Sequence, residues 1–298
     1  MISICIPIYN NDVTSLISKL SVEIVKNKIS AEIILIDDDS KMHYKEVNRK
    51  IKNDLVKYIE LNQNIGISKI KNLFLQYANK DFLLFLDSDC KIIQDNFITQ
   101  YLTFIIQNPK AQVICGGRVV EKSYTSAYNL RRKFSLERES KSAQERRKNP
   151  HLHFQGNNFM IAKSTFKETS FDERITKYGY EDVLLALQLK NKNIPISHID
   201  NPELKQDFES NSDYLLKVEA SVENIHSFLK ENILPQEIKK IRLIKAFYFL
   251  KTYYLTSVFR IFFKFQRHRI KKLLLNREVN LKYLDIYKLG LLCEKTQF

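Results

Sequence analysis

The sequence predicts an α/β fold, with a Rossmann-like, mostly parallel central sheet flanked by helices and a helical extension after it. Three observations predict it. Short apolar runs alternate with helix-length stretches through the first half of the chain. Two of those runs drive straight into clustered carboxylates, Asp37-Asp38-Asp39 and Asp87-Ser88-Asp89. Beyond Ser212 the strand-like runs stop, and helical spacing continues to the end of the chain.

Taken in order, Ile2–Tyr9 is an apolar strand that contains Pro7 and stops at Asn10. Val13–Lys26 has helical spacing, with Asp12 placed to cap it. Glu32–Ile36 is the second strand, and after a helical stretch Val56–Leu61 is the third. The turn Asn62-Gln63-Asn64-Ile65-Gly66 precedes a helix from about Ser68 to Ala78. Phe82–Leu86, rich in Phe and Leu and bounded by charge, reads as a strand buried on both faces. A helix at Asn96–Gln107 and a strand at Val113–Cys115, running into Gly116-Gly117, continue the alternation. From 130 to 150 the chain is dense in charge, and it reads as a mobile or helical excursion over the surface. Phe154–Ala162 resumes strand character, Glu181–Leu189 is a short helix, and Ile196–Ile199 closes the sheet before Asn201-Pro202. Repeated βα units of this length predict a mostly parallel, doubly wound sheet. The expected domains are 1–210, carrying the sheet, and 211–298, the helical extension.

Composition narrows the function. The chain has 298 residues and 44% apolar content, enough for a substantial core. The N-terminus opens directly on a strand, so no leader is expected, and no apolar run reaches the roughly 18 residues of a spanning helix. Cys5, Cys90, Cys115 and Cys293 are scattered without metal-type spacing, which fits buried free thiols in a reducing compartment. The formal charge of +14 is concentrated in Ile238–Arg277, which holds twelve Lys or Arg and no Asp or Glu. Within it Arg260, Lys264, Arg267 and Lys271 fall on one helical stripe among Phe259, Ile261, Phe262, Phe263 and Phe265. A basic, aromatic helix of this kind suits an anionic membrane surface; a helix packed on the body of the protein with a solvated basic face is the competing reading. Nucleic acid is not expected, because no recognised binding fold accompanies the charge.

The chemistry concentrates in the acids. Asp87 and Asp89 sit at the C-terminal end of a buried strand and, at i and i+2, on one side of an extended backbone. That sheet edge is where open α/β folds bind ligands. Two carboxylates there repel unless a cation lies between them, and a divalent ion bridging nucleotide phosphates answers that need. A capping pair after a strand is the bland alternative. Asp37 or Asp38, at the end of a parallel strand, could accept the imide N–H of a uracil; an Asx turn before Ser40 competes with that. Glu181 and Asp182 open a helix after Tyr178-Gly179-Tyr180, where the helix dipole alone could account for them. A carboxylate in that position can also act as a general base, removing the proton of a sugar hydroxyl as a new bond forms. His198 lies within an apolar strand pattern and reads as structural, and His151 and His153 lack a third ligand. No phosphate-binding or dinucleotide-type glycine loop is present, which argues against a kinase or a dinucleotide enzyme.

Ile4-Cys5-Ile6-Pro7-Ile8-Tyr9-Asn10, Ile34-Leu35-Ile36-Asp37-Asp38-Asp39-Ser40, Asn64-Ile65-Gly66 followed by Asn72, Phe85-Leu86-Asp87-Ser88-Asp89 and Gly179-Tyr180-Glu181-Asp182 occur in this order over roughly residues 1–205. Together they resemble family 2 glycosyltransferases of the GT-A fold. The resemblance implies an inverting, single-displacement hexosyltransferase using a nucleotide-sugar, expected to be UDP-linked, and Mn²⁺ or Mg²⁺. It implies that Pro7, Tyr9, Asp37 and Asp38 line the base and ribose pocket. Asn64, Gly66 and Lys71 lie near the base or diphosphate, with Asp87 and Ser88 beside them. Asp87 and Asp89 form the metal motif, Asp89 being the direct ligand. Gly156, Asn157 and Asn158 approach the donor sugar or acceptor, Asp182 is the base, and Glu181 shapes the acceptor site. The acceptor is expected to be a glycan or a lipid-linked sugar, and the location cytoplasmic, peripheral on the inner face of the membrane.

One departure stands out. Relatives place a His shortly after the Asn-Pro pair to help hold the metal; here Lys205 occupies about that position. An ammonium cannot ligate a cation, but it can contact a diphosphate. Asp207 is an alternative oxygen ligand. The substitution keeps open a non-catalytic, GT-A-like subunit that binds nucleotide or membrane. A nucleotidyltransferase, with a similar sheet and metal carboxylates, is the third reading.

Overall fold

The computed structural model describes residues 1–123, 128–206, 208–230, 238–239, 241–276 and 278–296. The strands are β1 (Ile2–Ile8), β2 (Ala31–Asp37), β3 (Val56–Glu60), β4 (Phe82–Leu86), β5 (Cys90–Lys91), β6 (Val113–Cys115), β7 (Arg118–Val119), β8 (Asn158–Ala162), β9 (Ile196–His198) and β10 (Glu203–Lys205). The helices are α1 (Thr14–Lys26), α2 (Met42–Asn48), α3 (Ile67–Tyr77), α4 (Phe97–Gln107), α5 (Leu130–Phe134), α6 (Ala143–Arg147), α7 (Lys163–Glu168), α8 (Glu181–Asn191), α9 (Asn211–Lys230), α10 (Arg242–Thr252), α11 (Thr256–Leu275) and α12 (Leu281–Lys295). The chain divides into two compact units: residues 1–121, 139–176 and 181–207, and residues 122–138, 177–180 and 208–298.

The first unit is built on a seven-stranded sheet ordered β3-β2-β1-β4-β8-β6-β9. Every pairing is parallel except the two that β8 makes, with β4 and β6. Strand alternation divides the core into two layers. Ile2, Ile4, Ile6 and Ile8 face one layer with Leu16, Ile17 and Leu20 of α1 and Phe97, Ile98 and Tyr101 of α4. Cys5, Ile34, Ile36, Leu83 and Phe85 face the other, with Ile70 and Phe74 of α3 and Leu185, Ala186 and Leu189 of α8. Helices therefore cover both faces, and function is left to the strand ends. Under the end of β4, Phe85 stacks on Phe159 with ring centroids 5.0 Å apart.

A second sheet of three short strands, β5-β10-β7, completes this unit. It has no signature in the sequence, because strands this short carry no hydrophobic period. Gly116, between β6 and β7, is obligatory: a Cβ there would lie 2.3 Å from the Tyr101 hydroxyl and 2.5 Å from the Asn201 carbonyl.

Two expectations need correction. The strand expected over Phe154–Ala162 is confined to Asn158–Ala162, and Gly156 and Asn157 form a turn before it. The 130–150 segment is not merely a surface excursion, because the Arg146 side chain is buried. It donates to the carbonyls of Cys115 (3.1 Å), Gly116 (2.9 Å) and Ile199 (2.8 Å), and lies 2.9 Å from His198 Nδ1. A guanidinium with its donors met by strand-end carbonyls can be interior, which a count of charges does not reveal. His198 is likewise buried, with Nε2 2.9 Å from the Pro150 carbonyl, and burial pushes its pKa down to about 4. All four cysteines are buried free thiols.

The second unit is helical. Leu215, Val218 and Val222 of α9, Phe263 and Leu274 of α11, and Leu284, Tyr287 and Leu291 of α12 are buried. Gly290 lets α12 approach α11, since a Cβ there would fall 2.2 Å from the Phe263 ring. Tyr287 donates to Glu219 at 2.5 Å, and Lys271 does so at 3.2 Å. Arg267 pairs with Glu294 at 3.0 Å. Two members of the predicted basic stripe therefore engage acids of neighbouring helices. Aromatic and apolar side chains are exposed along α10, the turn after it and α11: Tyr254 is 91% and Phe265 81% exposed, beside exposed Phe249, Tyr253, Ile261 and Phe262. Among the described residues no helix is long and apolar enough to cross a membrane.

Candidate active site

The C-terminal ends of β1, β2 and β4 form one edge. The register pairs Ile8 with Asp37, and β1 last pairs with β4 at Cys5–Phe85. Pro7, which has no N–H to donate, therefore sits beyond the last pair with β4, buried, with exposed Tyr9 just after it. Asp37 is buried and fully engaged. One oxygen accepts the Ser40 N–H (2.7 Å) and the other the Tyr58 hydroxyl (3.1 Å). Asp38 clamps the next turn, accepting from Ile65 N–H (2.7 Å) and Gly66 N–H (3.1 Å), while Asn64 donates to its carbonyl (3.1 Å). Burial raises the Asp38 pKa against those two bonds. Gly66 caps α3 at φ +83°, a conformation other residues resist. Asp37 thus closes the turn at Ser40 and Asp38 holds the one at Ile65-Gly66, beside the carboxyl end of β2.

The small sheet organises the second cluster. β10 runs parallel to β7 and antiparallel to β5, pairing Glu203 with Arg118 and Lys205 with Cys90, the residue after Asp89. Glu203 and Lys205, two apart on an extended strand, share a face. Arg118 is buried and donates to Glu203 at 2.5 Å; its other nitrogens lie 3.4 Å from Asp87 and 3.5 Å from Glu139. Burial works against its charge, but these acids prevail and hold its pKa above the ordinary value. Asn157 donates to the same Glu203 oxygen at 2.6 Å, whereas Glu203 Oε2 has no hydrogen-bond partner among the described residues. Asp89 forms an ion pair with Lys205. Ser88 lies half-buried in the turn between the two acids. Asn158 is enclosed below: its amide donates to the Gly117 and Asn201 carbonyls (2.8 and 2.9 Å) and accepts from Tyr101 (2.6 Å).

The third cluster joins α3, the turn before β8 and α8. Lys71 is buried, and its ammonium donates to the Gly156 carbonyl at 2.7 Å, 5.2 Å from the Phe171 ring centre. A Cβ on Gly156 would lie 3.0 Å from the Asp182 Cβ, so glycine permits this approach. Asp182 accepts the Val183 N–H at 2.7 Å in the first turn of α8. Its pKa is raised by burial, against the pull of the Lys71 ammonium and of the Val183 and Gly156 amides. Glu181 is pushed up to about 7, first by burial and then by the Asp182 charge; Asp87 also raises it. The strand-end and helix-start acids therefore share one field.

Arg118, Glu139 and Glu203 belong to the second cluster but were not singled out from the sequence. The available signals were the Gly116-Gly117 pair just before Arg118 and the Asn201-Pro202 pair just before Glu203. His151 turns away, with Nε2 2.9 Å from the Ile194 carbonyl.

Two carboxylates at one strand end suit a hard divalent cation that keeps waters and phosphate oxygens in its shell. Among the described residues no group of three or more Asp, Glu, His or Cys side chains is arranged to hold a metal ion, and Asp207 lies outside those residues. The set fits a cation if donor oxygens complete the shell and if Lys205 leaves Asp89.

A mostly parallel sheet with carboxylates gathered at its carboxyl edge, followed by a helix that opens on two acids, has the layout of a GT-A glycosyltransferase. The chain belongs to glycosyl transferase family 2, whose model matches residues 3–169. It is similar in fold to the crystal structure of S. aureus TarS 1–349, with 17% identity, a TM-score of 0.53 and coverage of 99% of this chain and 88% of that one. The same S. aureus TarS 1–349 in complex with UDP gives 16% identity, a TM-score of 0.52 and the same coverage. The mannosyltransferase PcManGT from Pyrobaculum calidifontis, in complex with GDP-Man and Mn²⁺, gives 14% identity, a TM-score of 0.53 and coverage of 83% of this chain and 69% of that one. A search of curated proteins returned no match. The protein is a glycosyltransferase.

Proposed function

We propose that the protein transfers a sugar from a nucleoside-diphosphate donor, UDP-linked, to a hydroxyl of a glycan or lipid-linked acceptor with inversion. The acceptor oxygen attacks the anomeric carbon as the bond to the diphosphate oxygen breaks. The acceptor proton passes to Asp182, and the bonding electron pair leaves with the diphosphate. Glu181 borders the acceptor. The observation that carries this reading is the geometry at the start of α8, where Asp182 lies against Gly156, whose carbonyl accepts from the buried Lys71; burial there raises the Asp182 pKa. A base of raised pKa gains proton affinity and is still ionised above that pKa.

In this reading Pro7, Tyr9 and the Asp38 clamp border the base, and Asn64, Gly66 and Lys71 lie along the donor. Asp87 and Asp89 would hold Mn²⁺ or Mg²⁺ with the donor's oxygens, and such an ion would offset charge on the leaving diphosphate. The UDP and GDP-Man–Mn²⁺ complexes of the structural neighbours support a donor of this chemistry. The aromatic, basic surface of α10 and α11, within Ile238–Arg277, supports attachment to an anionic membrane from the cytoplasmic side.

Incubation with a panel of nucleotide sugars, with the released product identified, tests the reaction. Release of a nucleoside diphosphate is expected. Release of pyrophosphate would mean a nucleotidyltransferase, and no turnover with intact nucleotide binding would mean a non-catalytic subunit.

A further inference from the structure

Beyond the residues that bind and react, the cluster holds a cation of its own at the carboxylate a metal would need. We propose that Lys205 is a built-in counter-ion that denies Asp89 to a free divalent cation and yields it only to one arriving with a diphosphate. The coupling to diphosphate rests on the function proposed above; the exclusion of the bare ion does not.

Backbone pairing fixes the geometry. Lys205 lies opposite Cys90 in the small sheet, so its ammonium is delivered to Asp89 by register rather than by a freely moving loop. The two cations of the cluster differ in how firmly they are held. Arg118 is buried among Glu203, Asp87 and Glu139, and its fork is pinned from three sides. Lys205 is only 6% exposed, but the Asp89 side chain is 44% exposed, so this pair opens toward solvent.

A bare divalent ion approaching Asp89 must displace an ammonium that then lacks the carboxylate it was balancing, in a largely buried position. A diphosphate changes that balance. Its oxygens accept from an ammonium as well as a carboxylate does, so Lys205 can exchange Asp89 for the ligand while Asp89 turns to the metal. Metal and nucleotide then favour each other's binding, and by linkage the effect is reciprocal.

The test measures Mn²⁺ binding to the full chain by electron paramagnetic resonance, without nucleotide and with saturating UDP. For the wild type, UDP should tighten Mn²⁺ binding by about 10-fold or more, within the usual range for coupled sites. Lys205→Met, close in volume, should bind bare Mn²⁺ about 10-fold more tightly than the wild type and lose most of the coupling. Lys205→Arg should behave as the wild type, and Asp89→Asn added to Lys205→Met should abolish the gain. Circular dichroism of each variant checks the fold, with Lys205→Gln as a second neutral substitution. Unchanged bare Mn²⁺ affinity in both folded neutral variants would overturn the counter-ion role. Tighter bare binding in them, with neither UDP nor GDP bound by any form, would instead overturn the donor reading and the coupling with it.

Discussion

At Glu181 the chain carries a carboxyl whose burial and neighbour raise its pKa from the ordinary 4.5 to about 7. The folded form therefore binds this proton more tightly than the unfolded chain. The sign follows from linkage: stability from this group is greatest below about pH 4.5 and falls as pH rises through about 7. Glu181→Gln should match the wild type at pH 4 and be more stable by about 1–2 kcal/mol at pH 8, allowing for screening of a half-buried group. Urea titrations at the two pH values measure this. Asp182, raised in the same direction, must be ionised to act as a base, so the transfer rate should fall as pH drops through its pKa. These acids were visible as sequence because they open a helix after a glycine. Their environment was not, since Lys71 and Gly156 come to them from distant parts of the chain.

Among the elements, the large sheet was legible and the small one was not. β1, β2 and β4 are apolar runs that end in a polar residue or an acid, and period and boundary together gave their position and edge. The backward run of β8 inside a parallel sheet leaves no mark in composition. β5, β7 and β10 are two or three residues long, yet they position Arg118, Glu203 and Lys205. Lys205 was noticed only through the family resemblance, and Arg118 not at all, because a single Arg after two glycines is locally unremarked. Replacing Arg118 by Met should cost about 3–5 kcal/mol by leaving Glu203 buried without its cation, and adding Glu203→Met should recover part of that. Chemical denaturation of the single and double variants checks the order.

For the whole molecule, the second unit is discontinuous: it takes in residues 122–138 and 177–180 as well as 208–298. Interruptions of this kind follow three-dimensional contact and are hidden from a reading along the chain. The charge excess of the tail was legible; that Arg267 and Lys271 pair with acids of the bundle was not. The exposed aromatics remain the basis for the proposed membrane attachment. The protein should sediment with vesicles containing anionic lipid at low salt and be released at high salt. The double variant Phe262→Ser, Phe265→Ser should weaken partitioning about 10-fold or more, given the apolar area removed. Binding to neutral vesicles that is as tight, or binding indifferent to both changes, would contradict attachment through this surface.

In the proposed reaction, acids distant in sequence form one site in which Asp182 deprotonates the incoming hydroxyl. Steady-state kinetics of Asp182→Asn, measured beside its donor dissociation constant, test it most directly. The expected result is a fall in kcat of about 10²–10⁴-fold with donor affinity changed little. A variant that retains wild-type kcat would contradict it.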